Sequence, residues 1–207
     1  MKAVRTLDVK KCQFAVYLRR NSKIVQKTLS QYDAVALKCR DLFLKKHADY
    51  GTTWRILRPS SMTDQLYIKA CRLRSLEEKG EQKVEDSVEG EYIGLVNYGI
   101  LALIQLELPA TTALDLDTST TQQLYDKQQK LTRALMAAKN HDYGEAWRDM
   151  RLSSLTDLIL AKLLRIRQIE NHKGKTLVSE GVEGNYRDII NYALFALIKL
   201  EEAKAPN

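Results

Sequence analysis

Apolar residues recur every three or four positions along most of this chain, which is the spacing of one face of an α-helix. The most strongly apolar stretches lie at residues 100–106 and 194–200, each near the end of such a pattern. The 207-residue chain contains only nine glycines and three prolines, so few positions interrupt the periodicity. We therefore predict an all-α protein.

The pattern also occurs twice. Residues 47–55 return at 140–148 with a shared Asp-Tyr-Gly and a shared Trp-Arg, 93 positions later. Asn97 and Tyr98 return 94 positions later. We divide the chain into a basic leader (1–30), copy one (31–107), a Thr-rich linker (108–123) and copy two (124–207). Two units of this length favour a duplicated domain or a fused homodimer over a solenoid.

Three helices are predicted in each copy. In copy one they run from Tyr32 to about His47, from Ser61 onward, and from Ser87 to Glu107. In copy two they run from Tyr125 to about Asn140, from Ser154 onward, and from Gly181 to Glu202. Gly51 suits a helix stop, and Asp64 and Asp157 follow serines as capping-box variants. Two three-helix units related by a pseudo-twofold axis would bury the apolar ends of the third helices.

The net charge of +7 is concentrated in the leader. Residues 1–28 carry eight basic residues against Asp8 alone, so the rest of the chain is neutral. A neutral body argues against a nucleic-acid partner. We interpret the leader as a tail outside the repeat. The alternatives are a short strand or a partner-binding arm with an apolar piece at residues 12–18, and a weaker third interpretation is a nucleic-acid-binding arm.

Cysteine usage and hydropathy indicate where the protein works. Cys12, Cys39 and Cys71 are odd in number and have no counterparts in copy two, which favours a reduced, cytoplasmic location. No apolar run approaches the roughly 18–20 residues of a membrane-spanning helix, so we expect no membrane partner.

The residues shared by both copies include aromatic and cationic side chains. An aromatic ring can stack on a base, and guanidinium or ammonium groups can hold phosphate. Asn97 and Asn191 lie mid-helix, where a polar residue needs a hydrogen bond or a ligand to compensate. The candidate nucleotide-binding residues are Tyr50, Trp54, Arg55, Lys69, Arg72, Tyr143, Trp147, Arg148, Lys162, Arg165 and Asn191. The alternative is that the aromatic residues pack at the end of the bundle and the cationic residues form salt bridges within it.

Acidic residues precede the third helix of each copy. Carboxylates spaced along a helix can hold Mg²⁺, which takes oxygen ligands. Copy two has the fuller set, because Asp188 aligns with Gly94 of copy one. The candidate metal ligands are Glu180, Glu183 and Asp188. The alternative is a solvated helix start where acids suit the dipole.

Three motifs resemble those of a known family. They are Lys-x-x-Asp-Tyr-Gly at 46–51 and 139–144, an Asp…Lys-x-x-Arg helix in each copy, and an acid-rich approach to Asn-Tyr. The chain resembles nucleotide modification associated domain 1, in the tandem arrangement of its Bacteroidetes-type members. The resemblance implies an association with modified-nucleotide metabolism, without an established activity or catalytic residues. The layout is also similar to the all-α MazG-type pyrophosphatases, although the first helix lacks their Glu-x-x-Glu.

Two functional hypotheses follow. The first is a cytoplasmic protein that binds a nucleotide or deoxynucleotide and acts on its phosphates with Mg²⁺. The second is a non-enzymatic interaction or scaffold protein whose repeated polar residues only lock the bundle. Both leave open whether the fused pair forms a further homodimer.

Overall fold

Helices form almost the whole fold. The structure is a computed structural model that describes residues 3–80, 87–109, 111–172 and 181–204, with side chains from residue 25 onward. Within those ranges there are six α-helices and no strand: α1 (Ala3–Tyr50), α2 (Pro59–Lys79), α3 (Val88–Glu107), α4 (Thr118–Tyr143), α5 (Leu152–Asn171) and α6 (Val182–Lys204). The all-α prediction is confirmed. None of the helices there is both long and apolar enough to cross a membrane.

Glycines end the first helix of each copy, as the sequence predicted. Gly51 after α1 and Gly144 after α4 both have φ of +59°, a left-handed conformation that residues with a Cβ adopt at a cost. Each glycine is soon followed by a short 3₁₀ turn, at Thr53–Ile56 in copy one and at Ala146–Asp149 in copy two.

Two helices begin much earlier than the sequence predicted. Helix α1 begins at Ala3 rather than Tyr32, because residues 1–50 contain no glycine or proline to interrupt it. The strand alternative for residues 12–18 is therefore wrong. Helix α4 begins at Thr118, inside the predicted linker, because the carboxylate of Asp117 caps it by accepting from the Thr120 amide at 2.9 Å.

The predicted capping boxes are also wrong. Helix α2 begins at Pro59, whose fixed φ suits the first helical position, and α5 begins at the equivalent Leu152. Asp64 instead pairs with Arg167 of copy two at 2.5 Å. In the same way, Asp157 pairs with Arg74 of copy one at 3.8 Å. The two carboxylates therefore connect the copies instead of capping their own helices.

The core is a four-helix arrangement of α2, α3, α5 and α6. Helix α3 packs most extensively on α6, across the boundary between the copies, and α2 packs on α5 in the same way. Helices α1 and α4 lie outside, and each contacts both α3 and α6. Each copy therefore relies on the other to bury the apolar face of its third helix.

Hydrogen bonds across this boundary come in matched pairs. The Tyr32 hydroxyl donates to Asn191 Oδ1 at 2.8 Å, and the Tyr125 hydroxyl donates to Asn97 Oδ1 at 2.7 Å. Tyr32 and Tyr125 are equivalent in the repeat, as are Asn97 and Asn191. Each copy therefore donates one tyrosine hydrogen bond to an asparagine of the other copy and accepts the equivalent bond in return.

A second matched pair joins α2 to α6 and α5 to α3. Thr63 contacts the Tyr186 hydroxyl at 2.7 Å, and Thr156 contacts the Tyr92 hydroxyl at 2.8 Å. Two bidentate ion pairs repeat the relation, Arg133 with Asp33 and Arg40 with Asp126. Self-complementary contacts of this kind define a twofold interface, which confirms the predicted pseudo-twofold bundle.

The closest approach across the boundary generates a test. A Cβ added at Gly99 of α3 would lie 2.7 Å from Ile190 Cγ1 of α6, closer than packed atoms tolerate. We expect Gly99→Ala to lower the free energy of unfolding by about 1–2 kcal/mol, measured by urea denaturation, despite the higher helix propensity of Ala. Gly181→Ala is the control, because its added Cβ meets nothing within 4 Å. An unchanged urea midpoint for Gly99→Ala would show that the α3–α6 interface accommodates the added methyl group without loss of stability.

Two equivalent carboxyls predict a pH dependence. Glu77 accepts from Thr156 at 2.7 Å and Glu170 accepts from Thr63 at 2.8 Å. Glu77 is exposed and Glu170 half-buried, and partial desolvation of their carboxyls raises the pKa of both above the ordinary 4.5, which the threonine hydrogen bonds only partly oppose. The folded state therefore binds more protons than the unfolded state, so this contribution to stability is lost as the pH rises through the raised pKa.

We expect a Glu77→Gln/Glu170→Gln double variant to lose less stability than the parent protein from about pH 4 to about pH 7. Urea midpoints across that range would measure the difference. The exposed Glu78 supplies the control substitution, Glu78→Gln. Parallel plots of urea midpoint against pH for the parent protein and the double variant would contradict the assignment of this pH dependence to Glu77 and Glu170.

Candidate functional site

The turn after α4 positions the aromatic residue of copy two. Glu145 follows Gly144 with a left-handed φ of 65°, which a residue with a side chain adopts at a cost of about 1 kcal/mol. Its buried carboxylate offsets that cost by accepting from Thr28 at 2.5 Å, Asn140 at 2.6 Å and Arg148 at 2.7 Å. The 3₁₀ turn that follows directs Trp147 into the bundle.

A cavity of about 620 Å³ lies between the end of α4, this turn, α5 and α6. We call it the copy-two cavity. Trp147 and Phe195 line its inner end and stack with ring centroids 4.3 Å apart and an interplanar angle of 5°. Tyr143, which is 73% exposed, lines it near the surface. The cavity is thus aromatic from the interior to the solvent.

Charged groups line the same cavity. Asp188 is only 4% exposed, and its carboxylate accepts from Lys139 Nζ at 2.6 Å and from Lys162 Nζ at 2.8 Å. Arg165 also lines the cavity. Three cations against one carboxylate give the lining a formal charge of +2. A surface whose described residues carry this net positive charge attracts an anion.

The equivalent cavity in copy one is smaller, about 260 Å³. The reason is the path of Lys69, whose Nζ lies 3.2 Å from the carboxylate of Glu91. Its side chain crosses Gly94 so closely that a Cβ there would lie 2.8 Å from Lys69 Cε. In copy two the residue at this position is Asp188, so Lys162 cannot take the same path and the space stays open.

A family model matches the chain at residues 46–106 and again at 139–200, which together make up more than half of it. The chain belongs to the nucleotide modification associated domain 1 family. The resemblance and the tandem arrangement predicted from the motifs are therefore confirmed. Both matches begin at equivalent lysines, Lys46 and Lys139, each of which lines a cavity. No curated protein and no solved structure matches the chain.

Within this family member, the structure brings most of the predicted copy-two residues together. The copy-two cavity is lined by Tyr143, Trp147, Lys162, Arg165 and Asn191 from the nucleotide set, and by Asp188 from the metal set. Arg148 lies outside it. The Arg148 guanidinium lies 4.4 Å from the Trp147 ring centroid and bonds Glu145, Glu202, Thr28 and Gln31.

The copy-one residues divide in the same way. Tyr50, Trp54 and Lys69 line the smaller cavity. Arg55 and Arg72 do not, because Arg55 is buried against Gln105 and the Thr112 carbonyl, and Arg72 pairs with Glu91. The turn arginine of each copy is therefore part of the packing between turn and helix.

The three predicted metal ligands do not converge on one place. Glu180 lies outside the described residues. Glu183 is exposed and pairs with Arg187 at 2.6 Å, next to a different depression, whereas Asp188 lies between two lysines. Across the described ranges, no three His, Cys, Asp or Glu side chains are grouped to hold a metal ion. The Mg²⁺ site stays a prediction from the sequence.

Lys139, Asn185 and Phe195 are among the residues of the copy-two cavity that the sequence analysis missed. The sequence contains signals that could have identified these residues. Lys139 is shared with Lys46 and begins the Lys-x-x-Asp-Tyr-Gly motif. Asn185 and Phe195 lie with Asp188 and Asn191 at intervals of three or four residues, which places all four on one face of α6.

The contacts of Arg148 predict a structural role. Arg148→Ala would leave the buried Glu145 carboxylate without its cation, which typically costs about 3 kcal/mol. We expect a corresponding fall in the urea midpoint. Arg151→Ala, at an exposed position just before α5, should change stability by no more than about 0.5 kcal/mol. Equal stability of Arg148→Ala and Arg151→Ala would contradict the structural role of Arg148.

Proposed function

We propose that the copy-two cavity binds a nucleotide or deoxynucleotide. The observation that carries the proposal is the combination, in one concave site, of an aromatic interior with a net positive lining. Phosphate groups would lie against Lys139, Lys162 and Arg165, since guanidinium and ammonium groups form charge-assisted hydrogen bonds with phosphate oxygens. The proposal keeps the cytoplasmic location that the odd number of cysteines predicts.

The dimensions support a ligand of this size. Cavities that hold small molecules and cofactors measure roughly 300–1,000 Å³, and the copy-two cavity measures about 620 Å³. The copy-one cavity of about 260 Å³ falls below that range. We therefore assign binding to copy two alone.

The exposure of the aromatic residues suggests how the ligand lies. Trp147 is already stacked on Phe195 and covered by the Arg148 guanidinium, so it forms a wall rather than an open stacking face. Tyr143 is 73% exposed and lines the cavity, and we propose that it closes over the ligand. Stacking of a base on an aromatic side chain contributes about 1–3 kcal/mol.

Two variants test the proposal. Lys162→Gln removes a cation from the larger cavity while its amide can still donate to Asp188, and Lys69→Gln is the matched change in copy one. We expect Lys162→Gln to weaken nucleotide binding about tenfold or more, because hydrogen bonds to charged groups contribute about 1.5–3 kcal/mol. Lys69→Gln should leave the affinity unchanged.

Equilibrium binding of nucleoside mono-, di- and triphosphates, with and without Mg²⁺, would give the affinities. Phosphate release measured in the same samples would test the Mg²⁺-dependent hydrolysis that the sequence predicted. Binding without release identifies a nucleotide-binding protein. If no nucleotide binds and none raises the melting temperature, the proposal fails and the scaffold hypothesis gains support.

A further inference from the structure

We propose that two copies of the chain associate through the outer side of the α2–α5 pair, which points away from α3 and α6. Ile68 on this side is 62% exposed, and it lies two positions from the buried Leu66 and Ala70, so it points away from the core. Helices α1 and α4 pack mainly on α3 and α6, so they cover the opposite side of the core. We call the exposed side the α2–α5 face.

Four outward positions, about one turn apart, carry the same classes of residue in both helices. In α2 they are Asp64, Ile68, Cys71 and Arg74. In α5 the equivalent positions, 93 residues later, are Asp157, Ala161, Leu164 and Arg167. Each helix therefore presents an acid near its beginning, a base near its end and two apolar residues between them, since a free cysteine behaves as a small apolar residue.

The two helices run antiparallel, so the acid of one meets the base of the other. Arg167 Nη2 lies 2.5 Å from Asp64 Oδ1 at one end of the face, and Arg74 Nη1 lies 3.8 Å from Asp157 Oδ1 at the other. Arg74 also donates to Glu78 at 3.0 Å, one turn further along α2 at the edge of the face. The α2–α5 face thus has an apolar centre with an ion pair on either side.

The opposite outer side of the bundle, formed by α1 and α4, has a different pattern. Leu37 and Leu131 are exposed there, but their equivalents in the repeat are the exposed lysines Lys130 and Lys38. Single leucines among lysines are ordinary for a solvated surface. On the α2–α5 face the equivalents of the exposed apolar residues are apolar as well, which is typical of a surface that a partner covers.

A second copy of the chain is the partner whose charges match this face. Consider a second copy turned over about a twofold axis that lies in the plane of the face. If the axis runs along the helices, α2 lies antiparallel over α5 of the second copy. If it runs across them, α2 lies antiparallel over the second α2. Both arrangements place every aspartate over an arginine of the other copy, whereas a uniformly acidic or basic partner would match only half of these charges.

The size of the face is sufficient for such a dimer. Helix α2 has 21 residues and α5 has 20, so each is about 30 Å long. Two helices side by side cover a width of about 20 Å, which gives roughly 600 Å² per copy and 1,200 Å² for the two copies. Stable protein interfaces of standard size begin at about 1,200 Å².

Sedimentation equilibrium of the intact chain tests the proposal, and it needs no nucleotide, so its outcome is independent of the proposed function. We expect the measured mass to approach twice the 23.7 kDa of one chain. The loading concentration should reach about 100 μM, because the weakest interfaces of standard size have micromolar dissociation constants. A mass that stays at one chain throughout would overturn the proposal.

Matched double variants locate the interface. Ile68→Lys/Leu164→Lys places four lysines at the centre of the dimer, and we expect it to raise the dissociation constant at least about a hundredfold. Leu37→Lys/Leu131→Lys makes the same change at similarly exposed positions of α1 and α4, and should leave the constant unchanged. Circular dichroism and urea midpoints would check that both variants fold. Equal dissociation constants for the two variants, or a loss confined to the second, would overturn the proposal.

Charge variants test the face without altering its apolar centre. Asp64→Arg/Asp157→Arg leaves arginine at all four charged positions, and Arg74→Asp/Arg167→Asp leaves aspartate at all four. We expect each variant alone to be monomeric and an equimolar mixture to form a dimer, because opposite charges then meet in either arrangement. Sedimentation equilibrium or native mass spectrometry would detect the mixed dimer. A mixture that stays monomeric, or either variant self-associating with the parent affinity, would contradict the proposed pairing.

Discussion

The packing of α3 on α6 is the contact on which the rest of the structure depends. Each helix carries an apolar face too wide for its own copy to cover, and each covers the other. The approach is close enough at Gly99 that Ile190 occupies the space of a side chain. Once these helices are aligned, the tyrosines of α1 and α4 reach the asparagines of the opposite copy. Tyr32 of copy one therefore holds the amide of Asn191, a residue that lines the copy-two cavity.

Much of the fold followed from local sequence signals. The 3.6-residue periodicity predicted the helices, and the left-handed glycines ended α1 and α4 where expected. Helix beginnings were harder to predict. Asp64 has the spacing of a capping residue, but its carboxylate pairs with Arg167, a residue more than a hundred positions away. Local propensity cannot reveal such a partner, and Pro59 had already set the start of α2.

The candidate site was predictable in part for the same reason. Internal repetition identified Trp147, Lys162 and Asn191, because residues kept in both copies were the only comparison within the chain. Repetition cannot separate a residue shared for packing from one shared for binding. Arg148 belongs to the first kind, since its partners Thr28 and Glu202 come from opposite ends of the chain. The difference in size between the cavities also depended on the path of one lysine across Gly94, which requires three-dimensional structure.

The difference between Gly94 and Asp188 has a consequence for how the two halves can evolve. In a homodimer of identical chains, every substitution occurs twice, so one subunit cannot close its cavity while the other keeps it open. A covalent fusion removes that restriction while preserving the twofold framework. In this chain copy one supplies Tyr32 and has the smaller cavity, and copy two has the larger one. A molecule that requires the larger space would meet one such space per chain, and its saturation would follow a simple hyperbola without cooperativity between halves.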